Sequence, residues 1–209
     1  MKTFLKIISY VFQPLVMPLF GIMLLMQIPI NQLFPNALLL INESTYKTIA
    51  IAGTLLFTAV LPALPILIMM RRGQIKDLFI SKREERTMPY LFSMLAYVFW
   101  VLFLWRTLQF PMYLLIYTIG CVVSVFIMTL INLKWKISAH MTGIGGLAGG
   151  IFGVCYQMAL NPVWLFALVI VVSGLVAISR LYLKAHTPGQ IIAGYLLGFL
   201  LVFVPGLFF

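Results

Sequence analysis

The chain is short of charge. Only 9% of its 209 residues are Asp, Glu, Lys or Arg, against roughly a quarter in an ordinary soluble domain. Acidic residues are the scarcest, four in all, which leaves no carboxylate cluster to carry a metal. There are two cysteines. Cys121 and Cys155 both fall inside apolar runs, so they read as small core residues and exclude a disulfide framework or a CxxC metal site. No low-complexity linker, internal repeat or second domain interrupts the chain. Histidine occurs twice, at His140 and His186.

Apolar residues fill the space instead. They make up 63% of the chain, and the mean hydropathy is +1.11. A soluble domain of this length cannot bury so much apolar surface, whereas a bilayer takes the place of a core. The expected fold is an all-α, polytopic transmembrane helical bundle, one domain over residues 1–209. Helices are the open choice because isolated strands would leave backbone groups unpaired in lipid. Seven segments reach the ~20 residues that a span needs. They are Phe4–Ile28, Lys47–Met70, Met88–Thr107, Pro111–Ile131, Ser138–Leu160, Val163–Leu183 and Pro188–Phe208. The number falls to six if the first, proline-containing segment re-enters. The apolar run from Ile7 to Ile30 lacks a small-residue cleavage site and reads as a retained span rather than a signal peptide. Pro14 and Pro18, and Pro62 and Pro65, are expected to kink the first two spans. In the fifth, Gly145 and Gly149 form a GxxxG, and Gly143, Gly146, Gly150 and Gly153 share a face; both features predict close helix packing.

The net charge of +10 reads as topology rather than as a nucleic-acid footprint. With seven spans, twelve of the fourteen Lys and Arg residues fall on one face, and only Lys47 and Arg106 on the other. The positive-inside rule puts the rich face in the cytoplasm, and the expected location is a bacterial inner membrane.

Three charged stretches meet on that face: Ser81–Pro89 (SKREERTMP), Lys134–His140 (KWKISAH) and Ser179–Gln190 (SRLYLKAHTPGQ). Each has a plain reading. KREER suits a solvated loop, and a lone interfacial His suits an anchor. Ser138 fits the N-cap of the fifth helix. Thr187-Pro188-Gly189-Gln190 fits a capping box. Lys184 fits a snorkelling cation. Taken together they outline an anion site. Two helix N-termini present free N–H groups beside several cations, a geometry that suits phosphate. Two histidines at such a site suit phosphoryl transfer, one attacking phosphorus and the other protonating the leaving oxygen.

Ser179-Arg180, His186 and Gln190 resemble the third signature of the type 2 phosphatidic acid phosphatase (PAP2) superfamily, which includes the vanadium haloperoxidases. Ile137-Ser138-Ala139-His140 resembles its second signature, Pro-Ser-Gly-His. Arg86-Thr87-Met88-Pro89, with Lys82 or Lys76 before it, is a looser counterpart of the first. The resemblance covers the chain from about residue 81 to its end. It implies an integral membrane phosphatase that hydrolyses a lipid phosphate or polyprenyl diphosphate without metal or cofactor. His186 would form a phospho-histidine and His140 would act as general acid. Arg180, Ser138, Arg86, Lys82 and Arg83 would hold the phosphate. The family has Asp where Gln190 stands; a Gln carbonyl can still accept the ring N–H but brings no charge. Membrane members of the family usually act on the outer side, opposite to the charge count. The alternative reading is a weak or inactive member that binds or transports anionic lipids.

Overall fold

In hydrocarbon every backbone polar group must pair within its own segment, and the described residues accordingly form helices and no strand. The computed structural model describes residues 1–28, 33, 42–77, 80 and 82–208. Ser81, which opens the first charged stretch, and Pro29 and Ile30, which end the N-terminal apolar run, lie outside the described residues. In chain order the helices are α1 (Lys2–Val11), α2 (Met17–Leu25), α3 (Glu43–Leu55), α4 (Leu61–Arg71), α5 (Thr87–Arg106), α6 (Met112–Asn132), α7 (Ala139–Gln157), α8 (Val163–Tyr182) and α9 (Pro188–Gly206). Short 3-10 turns at Pro14–Val16 and Glu84–Arg86 lead into α2 and α5.

Among the described residues, five runs are long and apolar enough to cross a membrane: Glu43–Arg71, Glu84–Arg106, Met112–Asn132, Val163–Tyr182 and Pro188–Gly206. The pair Lys2–Val11 and Pro14–Leu25 makes a sixth if it counts as one span, bent by 42°. Large apolar side chains such as Leu64, Phe99, Phe126, Val171 and Ile192 stay exposed on the outside of these helices, as a lipid-facing surface requires. The chain is an integral membrane protein.

The first span bends at its prolines, and the second, Glu43–Arg71, runs on through Pro62 and Pro65 as one span. The 42° bend falls at Phe12–Gln13, just before Pro14. Pro62 cannot donate to the carbonyl four residues back, and the chain before it widens into a π turn over Leu56–Val60. Pro65 is carried inside α4.

The expected fifth span, Ser138–Leu160, forms α7 but is not among the runs apolar enough to face lipid alone. Its glycines lower its hydropathy, and its position compensates. Most of its residues are buried, because α2, α6, α8 and α9 surround it. The closest contact is with α9. A Cβ on Gly149 would stand 2.5 Å from the Phe199 carbonyl oxygen, and one on Gly145 would strike that of Tyr195. On the facing helix, a Cβ on Gly194 would stand 2.7 Å from the Ser138 carbonyl oxygen. The two backbones therefore touch, as the GxxxG predicted, and Gly194 and Gly198 supply a second such pair on α9. The other glycine face does different work. A Cβ on Gly146 would meet Val202 at 3.5 Å and the Gly198 carbonyl oxygen at 3.8 Å, one on Gly150 would meet Val202 at 3.7 Å, and both residues line an internal cavity.

Candidate active site

The cavity has a volume of about 620 Å³. At one end its wall carries Arg86, His140, Arg180 and His186, which are 4%, 7%, 3% and 8% exposed. Beyond them the lining is mostly apolar and includes Tyr97, Trp100, Leu114, Val154, Cys155 and Leu165. From His140 to Cys155 the wall follows α7 for fifteen residues, roughly 22 Å at 1.5 Å per residue.

Local structure explains how His186 is held. Helix α8 ends with Ala185 N–H donating to the Arg180 carbonyl at 3.0 Å and Lys184 N–H donating to that of Leu181 at 2.9 Å. These are the two bonds of a Schellman motif. Lys184 takes the left-handed position, at φ 52°, so it ends the helix, a role its sequence did not announce. Three residues later α9 begins. Thr187 caps it by accepting from the Gln190 N–H at 3.5 Å, and Gln190 Oε1 accepts the Thr187 N–H at 3.2 Å. His186 is thus fixed between two helix ends.

Gln190 Oε1 also lies 3.0 Å from His186 Nδ1. The Thr187 N–H can only donate, so the atom it meets is an oxygen. The same oxygen faces Nδ1, which must then carry the ring hydrogen. The neutral ring keeps its lone pair on Nε2. The capping box and the orienting contact are one interaction, and a glutamine suffices for both. Burial, first of all, and then the nearby guanidinium of Arg86 push the His186 pKa down to about 3. The Gln190 hydrogen bond opposes this shift, while Arg180 and Lys136 add to it.

His140 lies in the first turn of α7, behind the Ser138 cap, whose hydroxyl accepts from the Met141 N–H at 3.5 Å. Its Nε2 meets the backbone carbonyl of Ser9 at 3.1 Å. Arg180, in the last turn of α8, donates from Nη1 to Ser9 Oγ at 3.1 Å. Arg86, at the start of α5, donates from Nε to the Ile80 carbonyl at 2.7 Å and from Nη1 to that of Ile137 at 3.2 Å. It thereby ties the loop before α5 to the turn before α7.

The structure gathers the sequence-derived candidates unevenly. His140, His186, Arg180 and Arg86 share the cavity wall, and Gln190 touches His186. Ser138 is fully buried and serves as the α7 cap. Lys82 has a half-exposed side chain 3.8 Å from Glu85. Arg83 donates to Glu84 at 3.2 Å and to the Leu133 carbonyl at 3.1 Å. Neither is among the residues that line the cavity. Two participants escaped the sequence reading. Lys136 lies near enough to depress His186, while its own pKa is lowered by burial and by Arg86 and Arg180. Ser9 comes from α1, whose sequence carries no phosphate-binding signal.

Fold and site together define an integral membrane protein with a cationic, two-histidine pocket opening into an apolar cavity. The family model of the PAP2 superfamily matches residues 122–205. The match takes in α7, α8 and α9 with both histidines, Arg180 and Gln190, and supports a phosphatase-type function. No curated protein and no solved structure matches the chain.

Proposed function

We propose that the chain hydrolyses a lipid phosphate or lipid diphosphate through a phospho-histidine on His186. One observation carries this reading. A single Gln190 oxygen takes both the Thr187 N–H and the His186 Nδ1–H, which leaves an unprotonated Nε2 on the wall of a cationic pocket. The Nε2 lone pair attacks phosphorus, and the P–O bond to the lipid breaks. The leaving oxygen keeps the electron pair and takes a proton from the protonated, imidazolium form of His140, which is left neutral. Water then attacks phosphorus, its proton returns to His140, and the N–P bond breaks to release phosphate and restore His186. Arg86 and Arg180 stabilise the negative charge that spreads over the equatorial oxygens, with Lys136 adding to the positive field from outside the cavity wall, so these cations do the work that a metal does elsewhere. The depressed His186 pKa favours the neutral nucleophile at physiological pH.

The apolar length of the cavity suits a hydrocarbon tail, which points to a lipid ester rather than a soluble one. On the charge count the site opens to the cytoplasmic face of a bacterial inner membrane.

The test is phosphate release by the purified full-length protein in detergent. A panel of lipid phosphates and diphosphates is assayed with a chelator present, beside His186→Ala. Release that persists with the chelator and disappears in the variant supports the reading. Full release by His186→Ala removes His186 as the nucleophile. Saturable lipid-phosphate binding with no release from any lipid favours a binder or transporter instead.

A further inference from the structure

Helix α1 precedes the family-matched region by more than a hundred residues, yet one of its residues meets both sides of the pocket. Ser9 is completely buried. Its carbonyl oxygen faces His140 Nε2 at 3.1 Å. Its hydroxyl accepts from Arg180 Nη1 at 3.1 Å and lies 2.7 Å from Ser179 Oγ. The direction of the chain of bonds follows from counting hydrogens. Ser179 spends its one hydroxyl hydrogen on the Leu5 carbonyl at 2.7 Å. Ser9 must therefore donate to Ser179, and its lone pair is turned toward Arg180. The chain runs Arg180 to Ser9 to Ser179 to Leu5, ending on the backbone of α1, which packs along α8.

From this we infer that Ser9 is a positioning residue for the oxyanion pocket. Its hydroxyl sets the guanidinium of Arg180, and its carbonyl sets the ring of His140. In the neutral ring the Nε2–H donates to the Ser9 carbonyl, so Nδ1 is the nitrogen that gains and loses the catalytic proton. The N-terminal helix is then part of the site. The inference rests on the proposed phosphate chemistry of the pocket, but its test needs no turnover.

The probe is inorganic phosphate, titrated calorimetrically into the full-length protein in detergent. The proteins are wild type, Ser9→Ala, Arg180→Lys and the double variant. Ser9→Ala is expected to weaken phosphate binding about tenfold, as the loss of a hydrogen bond to a charged group does. In the Arg180→Lys background the same change should cost less than about twofold, because the group it acts through is gone. Ser9→Thr, which keeps the hydroxyl, should bind within about twofold of wild type. Equal losses in both backgrounds, or no loss in Ser9→Ala, would overturn the inference. If Ser9→Ala does not fold, Ser179→Ala enters the same cycle and must show the same dependence on Arg180. The two readings fail differently. Persistent coupling in a protein that releases no phosphate from any lipid removes only the phosphatase. Additive losses in a protein whose release depends on His186 remove only the role of Ser9.

Discussion

Replacing Gln190 by Glu preserves the length of the side chain and both acceptor contacts, to His186 Nδ1–H at 3.0 Å and Thr187 N–H at 3.2 Å. It adds one negative charge beside a histidine whose pKa stands at about 3. An opposite charge in contact raises such a group by roughly 1–3 units. His186 should then titrate at about 4–6 and still be neutral at pH 7. Each unit is about 1.4 kcal/mol in favour of the charged ring. In the proposed mechanism the phosphorylated ring would carry the same positive charge, so forming it should quicken by up to about tenfold per unit. The assay is NMR of the protein labelled at its histidine rings, with His140→Gln identifying the two signals. In wild type the His186 signal should stay unmoved from pH 9 to below pH 5, and in Gln190→Glu it should move within that range. A wild-type His186 that titrates near 6.5 would refute the reasoning, since burial and the nearby cations would then not govern the ring. Stability follows the same sign. The unfolded chain takes up a proton that folded His186 refuses, so stability falls as pH drops from 6.5 toward about 3, by up to about 1.4 kcal/mol per pH unit. Above that window the group adds no slope.

Other outcomes follow from the packing. Gly198→Ala drives a Cβ into the Thr142 carbonyl and to 2.8 Å from the Gly146 nitrogen, and should cost about 1–3 kcal/mol. Gly174→Ala meets nothing within 4 Å and should gain up to about 1 kcal/mol; detergent melting curves compare the two. Gly150→Phe places a ring in the cavity ten residues along α7 from His140, roughly 15 Å away. It should cut turnover of lipid phosphates with longer tails relative to shorter ones, and an unchanged chain-length profile would remove the tail from this cavity. Lys134 is exposed on the site face, so Lys134→Cys in intact cells should resist a membrane-impermeant thiol reagent if that face is cytoplasmic. Labelling from outside would reverse the assigned orientation.

The sequence by itself determined the class of fold and much of one site wall. Hydropathy marks the spans because lipid acts on each helix separately. The caps at Ser138 and Thr187 were legible because capping is local, and the reach from Gln190 back to His186 is a four-residue contact. The proline bend of the first span and the α7 GxxxG were legible for the same reason. Tertiary structure decided the rest. It made α7 the enclosed helix, so the segment expected as the fifth span lies among the others rather than against lipid. It committed two nitrogens of Arg86 to backbone carbonyls and left Lys82 half exposed beside Glu85. It brought Ser9 to Arg180 across 171 positions of chain. A serine on an apolar helix carries no mark of its partner. That contact exists only because α1 packs on the end of α8, and the packing of one helix on another is a property of the assembled bundle, with no counterpart in the residues around Ser9.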